Sequence, residues 1–256
     1  MTNKEIWRIA LQQSAIDMNC SPEDFSRTEY VITESRASDK ARKYLPLPFV
    51  CDMVSYGSNV VATIHPQFRS IVESFLTQYP VSNAFETPHV RVLDDAFELY
   101  DMGVCFMAEY FLPDMERIHP IVCGYELKLL HPQDFQHLYT DEWSNALCEK
   151  RKQLDVLAVG AYDGDRLIGL AGCSADCDDM WQIGVDVLPA YRRQGIAASL
   201  TSHLAMEILA RNKVPYYCSA WCNMKSVRNA IRSGFVPAWV EITVRSKELI
   251  DEMNQT

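Results

Sequence analysis

The order of apolar and polar positions divides the chain into short segments of alternating character. Ile6 and Ala10, like Trp7 and Leu11, sit four residues apart and predict a first helix over Lys4 to Met18. In "SPED", Ser21 reads as an N-cap, Pro22 as a first helical residue, and Glu23 and Asp24 as first-turn acids. "FVCDMVSYGSNVVATI" places Gly57-Ser58-Asn59 between two apolar runs and predicts a β-hairpin. In "PQFRSIVESFLTQ", Phe68, Ile71, Val72, Phe75 and Leu76 share one helical face. "VCFMAEYFL" predicts a strand, and core packing is the plainer reading of its aromatic residues.

Two prolines and a glycine within "PDMERIHPIVCG" predict a linker, so the expected division is an N-terminal α/β domain at 1–120 and a second domain at 121–256. Beyond it the pattern sharpens. "YELKLL" alternates as a strand, and "HPQDFQHLY" opens a helix that "WSNALCEKRKQ" continues. Asp163-Gly164-Asp165 joins two strands as a hairpin, and "MWQIGVDVLP" is a strand stopped by Pro189. A helix opens at "RRQG", with Leu200, Leu204, Ile208 and Leu209 on one stripe. "VPYYCSAWC" is a strand, "MKSVRNAIRS" a helix closed by Gly234, and "FVPAWVEITVR" a final strand or pair. The chain shows no internal repeat and no low-complexity tract.

Composition narrows the function classes. The chain has 256 residues, 48% of them hydrophobic and 23% charged, which is enough for two modest globular domains. No apolar run approaches the roughly 18–20 residues of a membrane helix, and the first residues lack a signal-peptide apolar block, so no membrane role is expected and a cytoplasmic location is. A net charge of −10 argues against nucleic-acid binding and means that any bound anion must be held by local geometry. Nine cysteines, an odd number, suit a reducing compartment. Cys173 with Cys177 and Cys218 with Cys222 share a spacing that makes zinc conceivable, but buried free thiols are the plainer reading and no metal is expected. The histidines form no ligand or triad motif, and His131, before Pro132, reads as a helix-cap neighbour.

The residues that carry chemistry lie in "LPAYRRQGIAASLT". A strand ends at Val187 and a helix opens near Gly195. Gly195 lets an anion approach the backbone, Ala197 keeps the first turn small, and the first-turn N–H groups and helix dipole favour negative charge. Arg192 and Arg193 add guanidinium donors, so the segment is a pyrophosphate cradle in physical terms. It is neither a Walker loop nor a Rossmann fingerprint.

Arg192-Arg193-Gln194-Gly195-Ile196-Ala197 fits the signature Gln/Arg-x-x-Gly-x-Gly/Ala, and "NMKSVRNAIRSGF" follows downstream. On these motifs residues 125–245 resemble the GNAT superfamily of acetyl-CoA-dependent N-acetyltransferases, within a subgroup carrying a long N-terminal extension. The resemblance implies a mixed, mostly antiparallel, splayed sheet flanked by helices, beside a smaller N-terminal α/β domain that would wall the acceptor cleft. It implies that backbone groups of Val185 and Val187 pair with the pantetheine arm of acetyl-CoA. Arg193, Gln194, Gly195, Ile196, Ala197 and Ala198 would wrap the pyrophosphate, with Arg192 flanking. Asn223 would hydrogen-bond the arm and Ser226 would lie near it. The Val187 N–H would serve the tetrahedral oxyanion.

The chain also departs from that pattern. Many members carry a proton-donating tyrosine seven residues after the equivalent of Asn223, and Ala230 stands there. Ser226 could relay a proton, and a thiolate of pKa about 8.5 leaves tolerably well unaided. Where some members carry a basic glutamate the chain has Trp181, which leaves Asp186, Asp178, Asp179 and Glu142 as weak candidates. Alternation puts Asp186 on the face opposite Val185 and Val187. The expected acceptor is a small-molecule amine or a peptide N-terminus. The alternative is a non-catalytic acyl-CoA sensor.

Overall fold

The computed structural model describes residues 1–255. In chain order the elements are α1 (Asn3–Asp17), β1 (Val31–Glu34), β2 (Cys51–Ser55), β3 (Val61–Ile64), α2 (Arg69–Gln78), α3 (Val81–Ala84), α4 (Thr87–Glu98), β4 (Met102–Pro113) and β5 (Glu126–Leu130). They continue with α5 (Pro132–Phe135), β6 (Asp155–Asp163), β7 (Arg166–Ser174), β8 (Met180–Val187), α6 (Ile196–Ala210), β9 (Val214–Ala220), α7 (Met224–Arg232), β10 (Phe235–Ser246) and α8 (Lys247–Asn254). The fold is mixed α/β with mostly antiparallel pairing. Two compact units form: Met1–Ala10 with Phe111–Pro237, and Leu11–Tyr110 with the chain from Ala238.

In the unit built on Phe111–Pro237, β5, β6, β7 and β8 are antiparallel neighbours and β9 joins β8 in parallel. The expected turn at Gly164 forms with φ +58, joining β6 to β7. α6 packs on the face that carries Gly169: a Cβ there would meet Leu200 Cδ1 at 2.9 Å and Ile196 Cγ2 at 3.1 Å. Leu200, Leu204, Ile208 and Leu209 are all buried, as the stripe required. The prolines after residue 113 do not produce a free linker. Ile121 N donates to Ser202 Oγ, Ser199 Oγ donates to Val122 O, and Ile118 lies so close that a Cβ on Gly234 would sit 2.6 Å from its Cα.

The helix expected to continue through "WSNALCEKRKQ" is replaced by 3₁₀ turns at Asp141–Trp143 and Glu149–Leu154, with Arg151 outside helical geometry. The physical reason is competition for the backbone donors. Asn145 N and Ala146 N donate to Asp186 Oδ2 (2.8 and 3.0 Å), Asn145 Nδ2 donates to Asp186 Oδ1 (2.7 Å), and Cys148 N donates to Asp155 Oδ2 (2.8 Å). Trp143, Ala146 and Leu147 then pack with Ala158 and Leu170, so residues 141–148 form a strap across the sheet face opposite α6. Gly172 and Gly184 lie beneath it, where a Cβ would overlap the carbonyl oxygens of Ala146 and Asn145.

In the unit built on Leu11–Tyr110, the strand order is β1-β3-β2-β10. The hairpin of β2 and β3 turns at Gly57, φ +99, as its sequence predicts. Cys51, Met53, Ala62, Ile64, Ile242 and Val244 present an apolar face to α2 and α4, including Val72, Phe75, Leu76, Leu93 and Phe97. The opposite face is polar yet buried: Asp52 is aligned with Thr63 on one side and Thr243 on the other, and Glu241 lies two residues along β10. Asp17 and Arg42 form a 2.7 Å ion pair there, 4% and 3% exposed. Of the aromatic run, Tyr110 and Phe111 are buried, in keeping with core packing, whereas Phe106 is exposed.

Candidate functional site

β8 and β9 pair over Met180–Gln182 and Val214–Tyr216 only, although β8 runs on to Val187 and β9 to Ala220. Beyond that point the two strands part. Gln182 Nε2 donates to Cys218 Sγ at 2.8 Å, bridging the two strands where their backbone pairing ends.

The register with β7 says which backbone groups face the opening. Val187 is opposite Gly169, and the next pair outward is Leu188 with Ile168, where Leu188 N donates to Ile168 O at 2.9 Å. Hydrogen-bonded and non-bonded pairs alternate in an antiparallel ladder, so Val187 and Val185 are non-bonded toward β7. Their N–H and C=O groups therefore turn to the side from which β9 has departed. The Val187 carbonyl already accepts from Arg192 Nε at 2.9 Å, which leaves its N–H facing the gap.

The cradle follows at once. Pro189 opens a short 3₁₀ turn, Arg193 takes φ +66, and Gly195 takes φ +83 as the N-cap of α6. Alternating right- and left-handed residues turn successive N–H groups inward and form an anion-binding nest. The N-cap supplies no side chain, so the first-turn N–H groups of α6 have no capping acceptor. Gln194 Oε1 accepts from Tyr125 OH at 2.9 Å, and Tyr125 meets Tyr191 edge-on. Ile196 and Ala198 bury their side chains, so they can offer an anion only their backbone.

One cation at this cradle has no signature in the glycine-centred motif. Arg232, at the end of α7, places Nη2 3.5 Å from where a Cβ on Gly195 would stand. The donor set of nest and guanidinium groups fits a pyrophosphate.

Asn223 is the N-cap of α7, and its side chain accepts from Ser226 N at 3.2 Å. Asn223 Oδ1 is thus committed to the cap, and its amide nitrogen is the group left for a ligand. Ser226 Oγ is 2.7 Å from Tyr217 OH on β9. Asn229 Nδ2 donates to Thr201 Oγ1 at 3.0 Å and ties α7 to α6. Ala230, where the family's tyrosine would stand, is fully buried.

The carboxylates separate cleanly. Asp186 is spent on the strap and lies on the face opposite Val185 and Val187, as alternation required. Asp178 and Asp179 precede Met180, about 23 Å from Val187 at 3.3 Å per strand residue, and Asp179 pairs with Lys213. Glu142 is exposed on the strap turn that packs against β8. His131 is the N-cap of α5, its N–H donating to Asp134. Cys173 and Cys177 are buried, and burial pushes the Cys173 thiol up. Among the described residues no three His, Cys, Asp or Glu side chains are grouped to hold a metal, and no helix is long and apolar enough to cross a membrane.

A family model for GNAT acetyltransferases matches residues 106–238, more than half of the chain. No curated protein matches it. Solved structures similar to it include a GNAT-family acetyltransferase structure from Novosphingobium aromaticivorans (19% identity, 56% of this chain, 66% of that one, TM-score 0.41). Others are a GCN5-related N-acetyltransferase-like protein from Streptococcus suis (18%, 61% and 69%, 0.45) and a GCN5-related N-acetyltransferase from Kribbella flavida (13%, 59% and 62%, 0.47). The chain spans about two thirds of the length of these structures.

Proposed function

The chain belongs to the GNAT acetyltransferase family, and on that premise we propose that it is an N-acetyltransferase that moves the acetyl group of acetyl-CoA to a primary amine of a small molecule or a peptide N-terminus. The observation that carries this reading is the open edge of β8. Val185 and Val187 turn their backbone groups into the gap left by β9, and the nest at Arg193–Gly195 follows directly. An extended pantetheine arm would add to β8 as a strand does, through main-chain hydrogen bonds. The N–H groups of Gly195, Ile196, Ala197 and Ala198, with Arg192, Arg193 and Arg232, would hold the pyrophosphate. Gln194 would shape the same loop through Tyr125, and Asn223 Nδ2 would bond the arm.

In the transfer, a neutral amine attacks the thioester carbonyl. The Val187 N–H is positioned to donate to the oxyanion that forms. The amine's proton passes to a base, for which Glu142 is the candidate, one of two exposed carboxylates, with Asp141, on the turn that packs beside β8. The C–S bond then breaks with the electron pair on sulfur, and Ser226, in the first turn of α7, would lie near the departing thiolate.

A second reading, a non-catalytic acyl-CoA sensor, draws support from buried Ala230 in place of the family's tyrosine. Thiol release from acetyl-CoA across a panel of primary amines separates the two. Amine-dependent release supports the transferase. Acetyl-CoA binding with no release on any amine supports the sensor.

A further inference from the structure

We propose that Arg228 is a specificity residue whose guanidinium holds the 3′-phosphate of acetyl-CoA, so that the site selects CoA over its 3′-dephospho form. The inference rests on the acetyl-CoA site proposed above. Between Val187 and Pro237 the chain has seven Lys and Arg residues and one acid, Glu207, although its net charge is −10. Glu207 pairs with Arg211 at 2.7 Å, and Lys213 pairs with Asp179 at 3.4 Å. Among the described residues the other five, Arg192, Arg193, Lys225, Arg228 and Arg232, form no ion pair. An acidic chain repels a free anion, and the repulsion is offset only where cations are left without acid partners.

Three of these five share one stripe of α7. Lys225, Arg228 and Arg232 stand three and four residues apart and are all exposed. Buried Ala230 and Ser233 set the side of the helix that turns inward. Asn229 and Ser233 flank the stripe, and they bond Thr201 Oγ1 and Ala198 O of α6. The stripe therefore runs along the shoulder of α7 that adjoins α6, and its last member, Arg232, reaches Gly195 of the nest. Counting back along the helix axis, Arg228 lies ~6 Å from Arg232 and Lys225 ~10 Å.

The cations divide between the phosphate groups of the ligand. The nest with Arg192, Arg193 and Arg232 surrounds the pyrophosphate. Acetyl-CoA carries one further phosphate, on the 3′ oxygen of its ribose. The ribose is joined directly to the pyrophosphate, so this group comes to rest close beside the nest. Arg228 is the next unpaired cation on the stripe after Arg232. Its planar fork can meet two phosphate oxygens at once, which an ammonium cannot. Lys225, further along, adds charge to the same field rather than a contact.

Calorimetry with CoA and with 3′-dephospho-CoA tests this and needs no acceptor. At low salt the wild type should bind CoA about fivefold to tenfold more tightly, between the worth of an exposed ion pair and that of a hydrogen bond to a charged group. Arg228→Gln should lose most of that preference while binding 3′-dephospho-CoA as the wild type does, and Arg228→Lys should keep part of it. Arg232→Gln should weaken both ligands alike and leave their ratio unchanged, because it acts at the pyrophosphate. A wild type that does not distinguish the two ligands, or an Arg228→Gln protein with the full preference, overturns the proposal. A wild type that binds neither ligand overturns the acetyl-CoA site itself.

Discussion

Arg232 Nη2 lies 3.5 Å from the point where a Cβ on Gly195 would be, so a guanidinium from α7 roofs the nest that opens α6. The two residues are 37 positions apart in sequence, and only the packing of α7 on α6, tied by Asn229 and Thr201, brings them together. Arg232→Gln should keep the fold and weaken acetyl-CoA binding about fivefold to tenfold, with a smaller loss at high salt. Calorimetry at two ionic strengths reads this directly. An unchanged affinity would remove Arg232 from the site.

Asp186 accepts three hydrogen bonds from Asn145 and Ala146 and thereby fixes the strap against β7 and β8. Asp186→Ala strands two backbone donors and should cost about 2–3 kcal/mol in urea unfolding. Gly184→Ala should be worse, because its Cβ would overlap the Asn145 carbonyl and force the strap away. If Asp186→Ala is as stable as the wild type, the strap is held by Trp143, Ala146 and Leu147 alone.

The buried polar face of the other unit should carry a pH signature. Burial raises Asp52 well above its usual 3.8, and the neighbouring Glu241 pushes it further. A raised carboxyl holds its proton in the folded state where the unfolded chain has lost it. Its contribution is therefore fully present below about pH 3.8 and is lost as pH rises through the raised value. Asp52→Asn removes this dependence. The stability of the variant relative to wild type should grow from pH 5 to pH 8, by denaturant titration at both. A constant difference would show that Asp52 titrates normally.

Much of this architecture was legible in the chain. The hairpins at Gly57 and Gly164, the strand ending at Val187 and the helix opening at Gly195 all follow from local chemistry within a few residues. What was not legible depends on contacts distant in sequence. Asp186 and Asp155 look like surface carboxylates until the strap's N–H groups arrive 41 and 7 residues away. The same competition removes the helix expected after Trp143. α4 is a different case: Val90, Leu93 and Phe97 carry a plain helical period, so its signal lies in the sequence itself.

Glu142 and Asp141 are both exposed carboxylates on the strap turn beside β8. Once an amine substrate is in hand, Glu142→Gln should lower kcat about a hundredfold, leaving CoA affinity unchanged. An unchanged kcat would assign proton removal to another group or to water.

The central claim is that the Val187–Ala198 segment binds acetyl-CoA. Isothermal titration of acetyl-CoA into the wild type and into Gly195→Asp tests it most directly, since the new carboxylate would sit in the nest and pair with Arg232. One site per chain in the wild type, with no detectable binding to a folded variant, is the expected result. Equal affinity in both proteins, or no binding to the wild type, would contradict the account.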